Sequence, residues 1–256
     1  MKKLVGFFAC MPVLLILLFA FQGYAIGHKY IEDFKTTAYR DIPNTTARWD
    51  TVAGELKLYP FVPEILGTRD TPGLSRHVAV EGDFAYVADG SSGLQVIDIS
   101  DPDNPVIAGT CDTPGNARGV AVSGDHAFVA DATSGLQVIN INNPSAPAII
   151  GTCDTPGFAV TVAVSGAYAF VADESSGLVV IDVSDPSSPV IEGTCDTPGY
   201  AYGIEVAGNG AFVADYDYGL QVIDISDPAA PAIIGTCNTP GSAYGVAVSG
   251  EQNSVD

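Results

Sequence analysis

Gly93-Leu94, Gly135-Leu136, Gly177-Leu178 and Gly219-Leu220 follow one another at intervals of 42 residues, and the residues around each pair recur in the same register. Thr-Pro-Gly returns at Thr71, Thr113, Thr155, Thr197 and Thr239, and Val-Ala-Asp ends at Asp89, Asp131, Asp173 and Asp215. A unit of this size cannot bury its apolar face alone, so the chain must stack copies of one block. A period of about 40–45 residues carrying four strand-like segments is that of a β-propeller blade, whereas tetratricopeptide and ankyrin repeats are shorter and helical.

Residues 118–156 serve as the type unit. Val120 and Val122 alternate with small residues before Ser123-Gly124-Asp125, which reads as strand a and a turn. Ala127-Phe128-Val129-Ala130 is strand b, and Leu136 to Ile141, after Ala132-Thr133-Ser134-Gly135, is strand c. Pro144 and Pro147 cannot sit inside a ladder, so Asn143 to Pro147 is a connection and Ala148 to Cys153 is strand d. No window holds an apolar period of 3.6 residues over a helical length.

Leu178-Val179-Val180-Ile181-Asp182, with its variants Leu94-Gln95-Val96-Ile97-Asp98 and Leu220-Gln221-Val222-Ile223-Asp224, resembles the LVIVD-repeat family, as do the turns at Asp101-Pro102, Asp185-Pro186 and Asp227-Pro228. The resemblance covers residues 63–250 and implies an exported bacterial β-propeller. It implies little about activity, which has to be argued from a site.

The repeats near 76–114, 118–156, 160–198 and 202–240 predict four complete blades. Trp49-Asp50 with Gly54, then Glu55 to Leu58, then Pro63 to Thr68 copy the patterns of strands b, c and d, while Gly245 to Gly250 reads as strand a. A fifth blade split between 45–72 and 244–250 would close the ring, giving a propeller over 45–250. Residues 26–44 read as a linker. The 251–256 tail loses the strand b pattern and is expected to be irregular, or a truncation within a longer repeat protein.

Lys2 and Lys3 precede an apolar run from Leu4 to Phe21 and a Gly23-Tyr24-Ala25 site, so residues 1–25 read as a signal peptide or, uncleaved, an N-terminal anchor. The expected location is the periplasm, cell surface or extracellular space, with any membrane contact made through this segment. The formal charge is −20, and all ten Lys and Arg residues lie at or before Arg118, which disfavours nucleic acid as a partner. Cys111, Cys153, Cys195 and Cys237 occupy equivalent positions. On outer strands of neighbouring blades they would lie on the order of 20 Å apart, against a disulfide limit of about 7 Å. They are therefore read as free thiols buried as small apolar side chains.

The a–b and c–d connections of a blade fall on one face, and the b–c and d–a connections on the other. The c–d turns are near copies, SDPDNP, NNPSAP, SDPSSP and SDPAAP, whereas the b–c turns change from Gly90-Ser91-Ser92 through Glu174-Ser175-Ser176 to Tyr216-Asp217-Tyr218. The d–a loops diverge at Leu74, Asn116, Phe158, Tyr200 and Ser242, and again at Arg76, Arg118, Val160, Tyr202 and Tyr244. Aromatic and arginine side chains lead interface energetics. Arg76, Arg118, Phe158, Glu174, Tyr200, Tyr202, Tyr216, Asp217, Tyr218 and Tyr244 are therefore the candidate binding residues for a protein, peptide or glycan.

Asp89, Asp131, Asp173 and Asp215 form a repeated carboxylate set, for which Ca²⁺ would be the fitting cation. The favoured reading gives each the task of capping its own D-x-x-x-G turn, with no metal or cofactor. His28, His77 and His126 hold unrelated repeat positions, and neither a GxSxG nor an HExxH motif is present. The expectation is a binding module. The alternatives are a propeller enzyme acting on carbohydrate or lactone with a channel-mouth divalent cation, in which Glu174 and Asp217 are the acids that break repeat symmetry, and a structural repeat segment of a longer surface protein.

Overall fold

The computed structural model describes residues 39–41, 45–50, 55–60 and 65–248; the signal-peptide segment and the 251–256 tail lie outside the described residues. The chain divides into two compact units, Met1–Ile65 and Leu66–Asp256.

In the first unit β1 (Tyr39–Asp41), β2 (Thr45–Asp50) and β3 (Glu55–Pro60) form one antiparallel sheet in the order β1-β2-β3. Strands β2 and β3 fall on the residues expected for strands b and c, with Asp50 opposite Glu55. A strand also forms at Tyr39–Asp41, within the stretch read as a linker.

The described residues of the second unit form four sheets of four antiparallel strands each. Blade 1 comprises β4 (His77–Glu81), β5 (Phe84–Ala88), β6 (Leu94–Asp98) and β7 (Val106–Cys111). Blade 2 comprises β8 (Gly119–Ser123), β9 (His126–Ala130), β10 (Leu136–Asn140) and β11 (Ala148–Cys153). Blade 3 follows with β12 (Thr161–Ser165), β13 (Tyr168–Ala172), β14 (Leu178–Asp182) and β15 (Val190–Cys195). Blade 4 holds β16 (Gly203–Ala207), β17 (Gly210–Ala214), β18 (Leu220–Asp224) and β19 (Ala232–Cys237). This is the all-β, propeller-like repeat fold that the period predicts. Residues 66–68 and 244–248 form no strand.

The core lies between blades. Tyr86, Ala88, Leu94, Val96 and Cys111 on the forward face of blade 1 pack against Val120, Ala127, Val129, Ile139 and Ile141 on the rear face of blade 2. The same sets meet between blades 2 and 3 and between blades 3 and 4. Strands β4, β8, β12 and β16 lie side by side, so strand a is innermost and its loops converge. On β4 and β8 His77 bridges this inner seam, its Nδ1 being 3.1 Å from the Val120 carbonyl; between β12 and β16 the Thr161 hydroxyl donates to the Tyr202 carbonyl at 2.7 Å. Gly119 and Gly203 alternate with these larger residues because a Cβ there would strike the neighbouring backbone, at Val160 and Thr161 in one case and at Tyr244 and Gly245 in the other.

Every c–d pair shifts register at the same place, between Val96 and Ile97, Val138 and Ile139, Val180 and Ile181, and Val222 and Ile223. One residue on strand d, Ala108, Ile150, Glu192 or Ile234, is left without a partner on strand c, a β-bulge of the kind that increases local twist. Burial of the repeated cysteines is as expected for Cys111, Cys153 and Cys195, all free, but not for Cys237, which is free and exposed. Its blade is the last of the four described repeats.

Candidate functional site

The b–c turn closes on itself through the Asp131 N–H donating to the Gly135 carbonyl at 2.8 Å and the Ser134 N–H donating to the Asp131 carbonyl at 3.0 Å. The first residue of the turn also makes a two-way backbone bridge to the d–a loop of the next repeat, pairing Gly90 with Ala117, Ala132 with Ala159, Glu174 with Ala201 and Tyr216 with Ala243. Each b–c turn is thereby locked against the loop that enters the following blade.

The repeated aspartates hold a second lock. Asp131 Oδ1 accepts the Thr113 hydroxyl at 2.7 Å and its Oδ2 accepts the Gly115 N–H at 2.8 Å; Asp89, Asp173 and Asp215 do the same for Thr71 and Gly73, Thr155 and Gly157, and Thr197 and Gly199. The reading of each carboxylate as a cap for its own turn is corrected here. The backbone closes that turn, and the carboxylate reaches back 16 to 18 residues to the Thr-Pro-Gly loop. All four aspartates are fully buried. Burial pushes the carboxyls of Asp131, Asp173 and Asp215 up, partly offset by the threonine hydroxyls and glycine N–H groups. Among the described residues no group of three metal-ligating side chains converges.

The first residue of each b–c turn lies in the left-handed region: Gly90 at φ 61°, Ala132 at 55°, Glu174 at 45° and Tyr216 at 47°. Glycine adopts this conformation freely, whereas an L side chain costs roughly 1–2 kcal/mol there. Glu174 and Tyr216 thus hold strained positions, and both face the same group of side chains. The Tyr216 ring lies 6.3 Å from Tyr200, 5.6 Å from Tyr202 and 5.5 Å from Tyr244, and Tyr202 lies 5.2 Å from Tyr244. The Tyr202 hydroxyl points to Glu174 Oε1 at 3.5 Å, and burial followed by the Glu174 charge pushes its pKa up, so it stays a protonated donor. The guanidinium of Arg118 stacks 4.6 Å from the centroid of Phe158.

Of the residues singled out from sequence, Arg118, Phe158, Glu174, Tyr200, Tyr202, Tyr216 and Tyr244 fall into this connected surface. Arg76 is exposed on the inner loop of blade 1, close enough to Arg118 for its charge to matter. Asp217 is held by the Ser242 hydroxyl at 2.7 Å, and Tyr218 stands half exposed beside it. A shallow depression of about 390 Å³ opens between Tyr200, Tyr216 and Tyr218, with Ser175, Asp196 and Asp217 at its rim. Sequence reasoning missed Asp196 and the 197–199 backbone because the Thr-Pro-Gly segment is copied in every repeat and Asp196 in all but the last, and it missed Ser175 because a small hydroxyl residue stands there in three of the four turns. Only the neighbouring tyrosines make them part of a concavity. His126 packs its ring 6.4 Å from Phe128, just as Tyr168 lies 6.5 Å from Phe170 in the next blade, and takes no part in the site.

No curated protein matches the chain. Among solved structures the computationally designed Ika8 protein is similar in fold, with a TM-score of 0.56 at 8% identity over 83% of this chain. The chain spans 64% of that designed protein's length. The LVIVD repeat matches four times in succession, over residues 72–113, 114–155, 156–197 and 198–239, in the same register as the four blades. The chain belongs to the LVIVD-repeat family.

Proposed function

We propose that this protein is an exported or cell-surface binding module whose working surface is the face carrying the b–c and d–a loops, with a protein, peptide or glycan as partner. The observation that carries the reading is the grouping of Tyr200, Tyr202, Tyr216 and Tyr244 with Glu174 on this face. Blade 1 shows with Gly90 that the same bridge is made by glycine without strain. Two blades instead hold a carboxylate and an aromatic ring at that position, and both side chains enter the tyrosine group. The bridge sets this backbone conformation, since Ala132 shares it with only a methyl group, so what distinguishes Glu174 and Tyr216 is the side chain each presents to the tyrosine group. The c–d face has no such feature, its Asp and Asn side chains being occupied with their own turns, as where Asp185 Oδ1 accepts the Ser187 N–H at 3.0 Å.

Export rests on the basic and apolar N-terminal segment of the sequence. The test has two parts. Cell fractionation should recover the protein outside the cytoplasm, and crosslinking in those cells should capture a partner whose yield falls at least tenfold in Tyr202→Ala. A substitution on the opposite face, Ser187→Ala, should leave the yield unchanged. A partner insensitive to Tyr202 and lost with Ser187 would place recognition on the other face.

A further inference from the structure

The b–c turn of blade 4 reads Tyr216-Asp217-Tyr218 where the other blades carry Gly90-Ser91-Ser92, Ala132-Thr133-Ser134 and Glu174-Ser175-Ser176. In blades 1 to 3 the third residue is a serine whose Oγ lies against the glycine of the Thr-Pro-Gly loop, at Gly73, Gly115 and Gly157. In blade 4 the Tyr218 ring takes that place, and a Cβ on Gly199 would meet its Cδ2 at 2.9 Å. The ring thus rests on a glycine that has no side chain to displace it. Tyr216 is fixed by its backbone bridge to Ala243, and its ring meets that of Tyr200 edge-on at 6.3 Å. These three tyrosines wall the depression of about 390 Å³, with Tyr200 and Tyr218 each 48% exposed.

The charge at the depression has one sign. Asp196 and Asp217 both border it and both are exposed, and the Ser242 hydroxyl, donating to Asp217 Oδ1 at 2.7 Å, holds that carboxylate in place. No Lys or Arg follows Arg118, so the chain beyond it offers these acids no cation of its own. Ring faces beside carboxylates attract an organic cation through the ring quadrupole and the charge together. The same face already holds one such pair within the chain, the Arg118 guanidinium 4.6 Å from the centroid of Phe158.

We propose that this depression takes a basic side chain, arginine or lysine, of a partner polypeptide, its cationic head lying between the tyrosine rings and the carboxylates of Asp196 and Asp217. The proposal rests on the assignment of this face to binding and adds the chemistry of the partner. A neutral glycan would cover the same rings but leave the charge of both carboxylates unmatched, a desolvation cost that a cation recovers. The depression is shallow, so a small free amine would stay largely in water. A polypeptide anchors one side chain there and covers the surrounding loops with the rest of its surface.

The test is calorimetric titration of the full chain with end-blocked glycine peptides carrying a single arginine or lysine, against the same peptides with neutral citrulline or acetyl-lysine in its place. A cationic peptide should bind one-to-one, and its neutral counterpart at least tenfold more weakly. Tyr218→Ser and Asp217→Ser each install the residue that blades 1 and 3 hold at the same place, so the turn keeps its fold. Each should weaken the cationic peptides at least threefold with an unchanged melting temperature. Asp103→Asn removes the same charge from the exposed c–d turn of blade 1 and should leave binding as it was. Equal binding of charged and neutral peptides, no binding of either cationic peptide, tighter binding of choline or maltotriose, an equal loss in Asp103→Asn, or indifference to both serine substitutions would overturn the proposal. If a partner captured in cells depends on Tyr202 yet survives both serine substitutions, the binding face stands and the basic-side-chain assignment falls.

Discussion

At the scale of single residues, the buried aspartates carry the greatest structural load. Asp173 satisfies the Thr155 hydroxyl and the Gly157 N–H, so Asp173→Ala leaves one buried and one partly buried donor without their partner. An unsatisfied buried group costs about 1–3 kcal/mol, and the expected loss in urea unfolding is about 3 kcal/mol. Glu174→Gly should act in the opposite sense. It removes a side chain at φ 45° whose hydrogen bond among the described residues, to Tyr202, is 3.5 Å long. Stability should rise by up to about 1 kcal/mol, because glycine occupies this backbone region without strain. Partner binding should weaken, and a stabilised variant that bound normally would show that the Glu174 side chain takes no part in recognition.

At the scale of elements, blades differ by what covers their forward faces. Leu178 on β14 is fully buried against blade 4, whereas its equivalent Leu220 on β18 is only partly buried. Leu178→Ala should cost about 3 kcal/mol, within the range of large-to-small core changes, and Leu220→Ala about half as much. The cysteines report the same difference without mutation. Cys237 should react with a thiol reagent in the native protein at once, and Cys111, Cys153 and Cys195 only after denaturation, as burial also pushes those three thiols up. Rapid native modification of all four would contradict the packing between blades.

For the whole molecule, pH dependence follows from two opposed sets of carboxyls. Burial raises Asp131, Asp173 and Asp215 above the ordinary value near 3.8, so the folded chain binds their protons more readily than the unfolded chain. Their contribution to stability is complete below 3.8 and is lost as pH rises through the raised values. Asp98, Asp182, Asp185 and Asp224 are lowered by bonds from neighbouring serines, and their contribution is present above 3.8 and lost as pH falls through the lowered values. With a charge of −20 also relieved by acid, the melting temperature should hold or rise on going from pH 7 towards 4 and fall only below that. A steady decline from pH 7 downward would contradict this balance.

The period, the four strands of each unit and the turns between them were legible in the sequence because each is set by local chemistry. Alternation on Val120 and Val122, prolines at 144 and 147, and glycine at 135 act within a few residues of one another. So was the divergent face, since loop identity follows from strand order alone. What required the tertiary structure were relations between distant residues. The Asp131 carboxylate serves a loop 16 to 18 residues back, Ile150 is bulged where alternation reads straight through, and Cys237 is exposed where an identical pattern buries Cys153. The left-handed backbone at Glu174 and Tyr216 is imposed by bridges to the next repeat, and only the tertiary structure gathers Tyr202, Tyr216 and Tyr244, from three separate loops, into one group. Local propensity has no access to such contacts, because identical sequence in successive repeats meets different neighbours.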